Sequence, residues 1–189
     1  MKSQILVNLK INAKLQPFLR HDIEDNIEKL INEYQIPCEI NGGGTYQNED
    51  GTIDSCDINF ICLKEDLDQV IQFLKSLPNP KGSEISYYEN EAVENSEPMQ
   101  IAIGDLECLC YRFNGQDLPK EVYQDNNIND VIDTMMEVLT GYFVFYSYEE
   151  LEHTYFYFYG KSYQQMKDLL KDFDKKFALC QQCLIEQIV

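Results

Sequence analysis

Two cysteine pairs carry the most recognisable chemical spacing in the chain. Cys180-Gln181-Gln182-Cys183 has the C-x-x-C spacing of metal and redox sites, and Cys108-Leu109-Cys110 lies on a strand that the element order places beside the C-terminal one. Four thiolates brought together would have the composition of a structural zinc site. The spacing argues against it, because C-x-C within a strand puts both side chains on one face, whereas zinc ribbons use C-x-x-C knuckles on turns. Buried free thiols that pack as small hydrophobes are the expectation. A thioredoxin-like dithiol opens a helix, and this one enters a strand.

Other chemistry-bearing residues are sparser. Gly42-Gly43-Gly44-Thr45 invites a phosphate-loop reading, but no helix starts there and the motif lacks a lysine, so a bulge or hairpin needing positive φ is expected. His21 and His153 are the only histidines, in different halves, with no histidine or cysteine at ligand spacing. Paired carboxylates such as Asp54 and Asp57 carry little weight in so acidic a chain. No catalytic, cofactor-binding or metal-ligating residues are assigned.

The remaining chemical signal is aromatic. Tyr142 to Tyr159 reads as two aromatic strands joined by the acidic turn Glu149-Glu150-Leu151-Glu152. Alternation in a strand would point Phe143 and Phe145 to one side and Tyr142, Tyr146 and Tyr148 to the other. After the turn, Thr154, Phe156 and Phe158 share one face and Tyr155, Tyr157 and Tyr159 the opposite one. Phenylalanines need a dry core, whereas tyrosine hydroxyls need water, a polar neighbour or another molecule. The six tyrosines, with Glu149 and Glu150, are therefore the candidate partner-binding surface.

Composition narrows the partner. Among 189 residues, 33 acidic against 15 basic give a formal charge of -18, which repels phosphate backbones and anionic head groups alike. Nucleic-acid and membrane-surface binding are disfavoured, and a basic protein is the electrostatic complement. No run of about 18 apolar residues is present, and the opening MKSQILVNLKINAKLQ alternates instead of forming a signal-peptide core. Seven scattered cysteines suit a reducing compartment, so a cytoplasmic location is expected.

The elements that must position these residues follow from periodicity. Ile5, Val7, Leu9 and Ile11 alternate as a strand; Ile23, Ile27, Leu30, Ile31 and Tyr34 mark a helix over 22–34. A short strand, 38–41, runs into the glycines and a turn, followed by a strand over 52–63, a helix through Leu67, Val70, Ile71, Leu74 and Leu77, and a strand over 84–88. Residues 89–98, acidic and closed by Pro98, read as a linker. The order then repeats: a strand over 101–113, a lead-in at Asp117-Leu118-Pro119, and a helix through Val131, Met135 and Leu139, capped by Asn127 or Asn129 and stopped by Gly141. The aromatic hairpin follows, then a helix opened by Ser162-x-x-Gln165 and a last strand over 183–189.

Strand-helix-strand-strand-helix-strand, used twice, is the order of tandem ferredoxin-like halves. The expected class is α+β with antiparallel sheets: a first half 1–88, the linker 89–98 and a second half 99–189. Each sheet would have helices on one face and leave the other open. In the first half that open face would carry Asn8, Lys10, Asn12, Ser55, Asp57 and Asn59, a polar surface needing no cover. In the second it would carry the tyrosines, covered by the other half, by a second copy in a homodimer, or by a partner.

Several phrases resemble a group of bacterial proteins of this length: GGGT at 42–45, SCDIN at 55–59, PKGS at 80–83, NGQDLPKEVY at 114–123 and YFYFYGKSYQQM at 155–166. The resemblance implies the two-part architecture and no particular activity. Small acidic cytoplasmic proteins with such folds also resemble, in type, the immunity proteins that neutralise bacterial toxins. The expected function is thus non-enzymatic: an acidic module that captures a basic protein, with an immunity protein as one form. The alternative is a sensor binding a metabolite between halves or subunits.

Overall fold

The computed structural model describes residues 3–88, 97–150 and 153–189. Most of the expected linker, residues 89–96, and Leu151 and Glu152 of the acidic turn lie outside the described residues. The chain divides into two compact units, Met1–Asp105 and Leu106–Val189.

In the first unit the alternation of Gln4–Ile11 (β1) buries Ile5, Val7, Leu9 and Ile11. Its antiparallel neighbours are Ile53–Leu63 (β3) and Ser83–Tyr87 (β4), and the register sets Val7 opposite Phe60 and Leu9 opposite Ile58. Pro17–Tyr34 (α1) buries Ile27 and Ile31, and Leu67–Ser76 (α2) buries Val70, Ile71, Phe73 and Leu74 in the same core. Helix α1 starts five residues earlier than its apolar stripe suggests, because Pro17 supplies a φ already suited to the first helical turn. It ends where Gln35 turns left-handed and donates its N–H to the Ile31 carbonyl.

Cys38–Gln47 (β2) continues through the glycines instead of stopping before them. Its pairing with β3 shifts between Ile40 and Gly43, and Gly42 has φ 97°, so the expected bulge is present inside a longer strand. A Cβ on Gly43 would sit 2.2 Å from the Asp57 carbonyl oxygen, which is why this crossing needs glycine.

Met99–Ile103 (β5) pairs with β4 and completes a five-stranded sheet ordered β2-β3-β1-β4-β5. This corrects the expectation of one strand over 101–113 opening the second half. The chain breaks at Gly104, whose φ of 98° ends the extended run, and the Asp105 N–H donates to the Asn79 carbonyl at 3.0 Å. Residues 99–103 therefore belong to the first sheet.

The second unit begins with Glu107–Phe113 (β6). Lys120–Asp125 (α3) and Ile128–Val138 (α4) lead to Phe143–Glu150 (β7) and Thr154–Gly160 (β8); Tyr163–Leu170 (α5), Phe173–Lys176 (α6) and Leu184–Gln187 (β9) complete it. Asn127 caps α4 by accepting from the Asn129 N–H, Gly141 has φ 84°, and Ser162 caps α5 by accepting from the Gln165 N–H at 3.3 Å. The sheet order β7-β8-β6-β9 repeats the β2-β3-β1-β4 order of the first unit. Leu109, Tyr111, Phe113, Phe156 and Phe158 meet Val131, Met135, Met166 and Leu170 of the helices in one core. The fold is α+β, with two ferredoxin-like antiparallel sheets in tandem.

Gly104→Ala tests the break between β5 and β6. Its new Cβ would lie 2.0 Å from the Pro80 carbonyl oxygen, whereas Gly51, with φ 84°, has nothing within 4 Å. Gly51→Ala should cost about 1–2 kcal/mol of conformational strain, and Gly104→Ala clearly more. Urea unfolding of both variants checks the order; equal losses would show that Pro80 yields freely.

Candidate functional site

Cross-strand register decides where the tyrosines face, because residues paired across a ladder share one side of the sheet. Glu149 pairs with Tyr155, Ser147 with Tyr157 and Phe145 with Tyr159. On β6, Arg112, Cys110 and Cys108 pair with the same three tyrosines. These nine residues form the face turned away from the helices. Tyr146 and Tyr148 pair with Phe158 and Phe156 on the helix side of the sheet, where half-buried Tyr148 stacks on Phe156 at 5.7 Å between ring centroids and Tyr146 stays exposed. The expectation that Tyr146 and Tyr148 share a face with Tyr155, Tyr157 and Tyr159 is therefore corrected.

A shift in pairing between Phe143 and Phe145 separates those two phenylalanines as well. Phe143 meets Phe158 in the core, at 5.7 Å, and Phe145 stacks on Tyr159 at 4.5 Å on the opposite face. Tyr142 precedes the strand and is exposed.

Nor are the remaining tyrosines a bare aromatic patch. Tyr157 is 6% exposed, Tyr159 1% and Glu149 4%. The Tyr157 hydroxyl donates to Glu149 Oε2 at 2.7 Å. Burial, followed by the hydrogen bond and charge of Glu149, pushes the Tyr157 phenol well above its ordinary 10.0. Cys108 and Cys110 are buried beside it, and the buried Ser147 hydroxyl has no hydrogen-bond partner in the structure. The buried part of this face is a dry layer containing one hydrogen-bonded carboxylate, while Arg112, Phe145 and Tyr155 are half-buried. Of the eight candidate partner-binding residues, Tyr142, Tyr146 and Glu150 are exposed, Tyr148 and Tyr155 are half-buried, and Tyr157, Tyr159 and Glu149 are buried.

The first sheet has the opposite surprise. Asn8, Lys10, Asp57 and Asn59 share its polar face, yet Asp57 and Ser55 are buried rather than left to water. Asn8 Nδ2 donates to Asp57 Oδ2 at 2.7 Å and to Asn59 Oδ1 at 3.0 Å. Asp57 also raises the Tyr46 phenol through its charge. Asn12 works elsewhere: its backbone N–H donates to Ser83 Oγ and its Nδ2 to the Lys81 carbonyl, tying down the turn into β4. Over this face lies a cleft of about 370 Å³ lined by Asn8, Lys10, Tyr46, Gln47, Asn48, Asp54, Ser55 and Asp57. Tyr46, Gln47 and Asn48 escaped sequence reasoning because the preceding glycines read as a turn. Only the pairing of β2 with β3 brings them beside Asp57.

The other motifs resolve locally. Cys108 and Cys110 lie on the face away from the helices, whereas Cys180 packs in the helix-side core with Cys183 against it, so the sheet separates the two pairs. Among the described residues no group of three or more His, Cys, Asp or Glu side chains is placed to hold a metal. His21 Nε2 lies 2.9 Å from Nη2 of Arg20, a buried arginine that sequence reasoning passed over and that pairs with Glu24 one helical turn on. His153 Nδ1 accepts the Gly115 N–H at 3.3 Å, in a smaller cleft of about 260 Å³ with Arg112, Asn114, Asp117, Gln182 and Leu184. No helix among the described residues is long and apolar enough to cross a membrane.

No family model matches the chain, and no curated protein shows significant similarity to it. Solved structures that overlay along its length include an unknown protein from Galdieria sulphuraria, 15% identical, covering 100% of both chains with a TM-score of 0.31. A putative glycine cleavage system transcriptional repressor is 12% identical, covering 98% of this chain and 97% of its own, with a TM-score of 0.30. An aldoxime dehydratase is 7% identical, covering 97% of this chain and 79% of its own, with a TM-score of 0.31. Overlays at these scores carry no argument about function.

Alkaline pH tests the dry layer. Because Tyr157 is held above its ordinary value in the folded chain, its contribution to stability is complete below about pH 10 and is lost as pH rises beyond it. Buried thiols act earlier in the same direction: burial pushes Cys38 from 9.0 up to about 11 and Cys56 up to about 12. Unfolding free energy should be level to about pH 9 and then fall. Tyr157→Phe should cost about 1–3 kcal/mol at pH 7 and flatten the fall above pH 10; an unchanged slope would place the loss elsewhere.

Proposed function

We propose that the protein is a non-enzymatic binding module that takes up an extended, basic segment of a partner protein along β7, the outer strand of its second sheet. The carrying observation is an outer strand with apolar residues facing solvent: Val144 and Tyr146 on it and Tyr142 just before it are 49%, 38% and 44% exposed. An outer strand offers main-chain groups to an added strand, and long apolar edges are ordinarily blunted by lysine or proline. None stands between Tyr142 and Glu150. Tyrosine supplies contact area at little entropic cost, and exposed Glu150 with the charge of -18 steers a cationic segment toward it. An immunity protein that masks a basic toxin would be a particular form of this activity.

A second reading rests on the cleft of the first unit. Lys10, paired with Asp57 across the ladder, lines the cleft together with Asp54 and Asp57, a mixture of charges suited to a small zwitterion whose carboxylate meets the lysine and whose ammonium meets the aspartates. This reading keeps the sensor alternative but takes its ligand on the first sheet instead of between halves or subunits.

The first reading is tested by screening the chain against an array of extended lysine- and arginine-containing peptides and following the best binder by hydrogen exchange. Protection should concentrate in β7, and the double variant Y142A/Y146A should weaken binding by tenfold or more, about 1.4 kcal/mol. Equal binding by the double variant, or protection elsewhere, overturns β7 as the docking edge. Thermal unfolding with a panel of free amino acids tests the second reading. A ligand at 100 times its Kd should add about 2.7 kcal/mol, and Asp57→Asn should remove that gain. No shift for the unaltered chain with any member would end it.

A further inference from the structure

Residues 180–183 form a turn whose geometry no part of the proposed binding activity uses. A short 3-10 segment, 178–180, ends with Gln181 extended at φ -65°, ψ 136°, and Gln182 follows with φ 58°. The Cys183 N–H closes the turn on the Cys180 carbonyl at 3.3 Å. These angles describe a type II turn, in which the third residue wants glycine; here glutamine holds the strained position. Such turns bring their first and last Cα atoms within about 7 Å, close to the separation that a disulfide spans. The two thiols and the Tyr111 hydroxyl sit close enough to shift one another's titration. Cys180 is buried, while Cys183 is half-exposed with its sulfur 3.4 Å from the Leu179 carbonyl oxygen.

We propose that Cys180 and Cys183 are a reversible dithiol/disulfide site, oxidised by small neutral disulfides that enter at Cys183. The Cys183 thiolate attacks one sulfur of the small disulfide, whose S–S bond breaks and releases one thiolate, which takes a proton from water. Cys180 then gives up its proton and attacks Cys183 Sγ, forming the intramolecular S–S bond and expelling the second small thiolate. Two protein thiols and one disulfide become one protein disulfide and two small thiols. The division of roles matches the site's electrostatics. The neighbouring Cys180 thiol holds the Cys183 thiol below its ordinary 9.0, and Cys183 together with burial raises Cys180. The negative charge of the chain, with Asp174 nearby, works against anionic oxidants, which is why a neutral disulfide is specified.

The probe is bis(2-hydroxyethyl) disulfide, applied to the folded full chain, followed by acid quenching, alkylation, digestion and mass spectrometry. The peptide holding Cys180 and Cys183 should lose the mass of two hydrogens and resist alkylation, about tenfold or more faster than Cys38, Cys56, Cys62, Cys108 and Cys110 react. Dithiothreitol should reverse it. Cys180→Ser should trap one hydroxyethylthio adduct on Cys183, and Cys183→Ser should leave Cys180 unmodified; circular dichroism checks that both variants stay folded. Should either unfold, the unaltered chain still decides, because the expected product needs no substitution. Reaction of all thiols at one rate, or an unreacted 180–183 peptide beside other oxidised cysteines, overturns the proposal.

Discussion

The pairing of β7 with β8 is the constraint on which the second unit depends. Side chains in a strand alternate with a period of two, so sliding β7 by one residue would carry Tyr148 away from the core and Glu149 into it. The observed register avoids that cost. It stacks Tyr148 and Tyr146 on Phe156 at the helix side of the sheet, and leaves Glu149 where Tyr157 can donate to it. The extra residue at Val144 then restores Phe143 to the core while Phe145 crosses to the tyrosine side. One bulge and one register thus account for where every aromatic ring of the hairpin points.

Among the described residues each unit buries one carboxylate on the sheet face away from its core, and neither carboxylate is left without donors. Asp57 receives Asn8 Nδ2, and Glu149 receives the Tyr157 hydroxyl. Burying an unpaired carboxylate would be prohibitive, so these hydrogen bonds are a condition of the packing and not an addition to it. The bond also ties the fold to the protonated phenol of Tyr157. In the first unit the same requirement arranges a polar cleft, because the residues that satisfy Asp57 also line the space above it.

The charge of the chain and its exposed strand edge act at different ranges. A net -18 favours encounter with cations over about a Debye length, and it cannot choose among them. In the proposed binding, selection would come from shape and from main-chain hydrogen bonding at the edge, where Tyr142, Val144 and Tyr146 are exposed. The paired thiols of Cys180 and Cys183 sit on the helix side of the same sheet, against Tyr111, and are chemically separate from both.

Local sequence determined most of the elements and their order, though not the break between β5 and β6 or the length of β2. The alternation of Ile5 to Ile11, the stripe of α2, the caps at Asn127 and Ser162 and the stop at Gly141 each express a nearest-neighbour preference that needs no distant partner. The α+β class followed from that order. Tertiary structure alone decided which residues meet. Whether the glycines at 42–44 end a strand or cross another depends on the Asp57 carbonyl beside Gly43, and whether residues 99–103 open the second sheet or close the first depends on β4. The faces of the tyrosines and the separation of the two cysteine pairs were likewise invisible in sequence. Alternation says that neighbours point apart, but only the hydrogen-bonded register between strands says which residues point together.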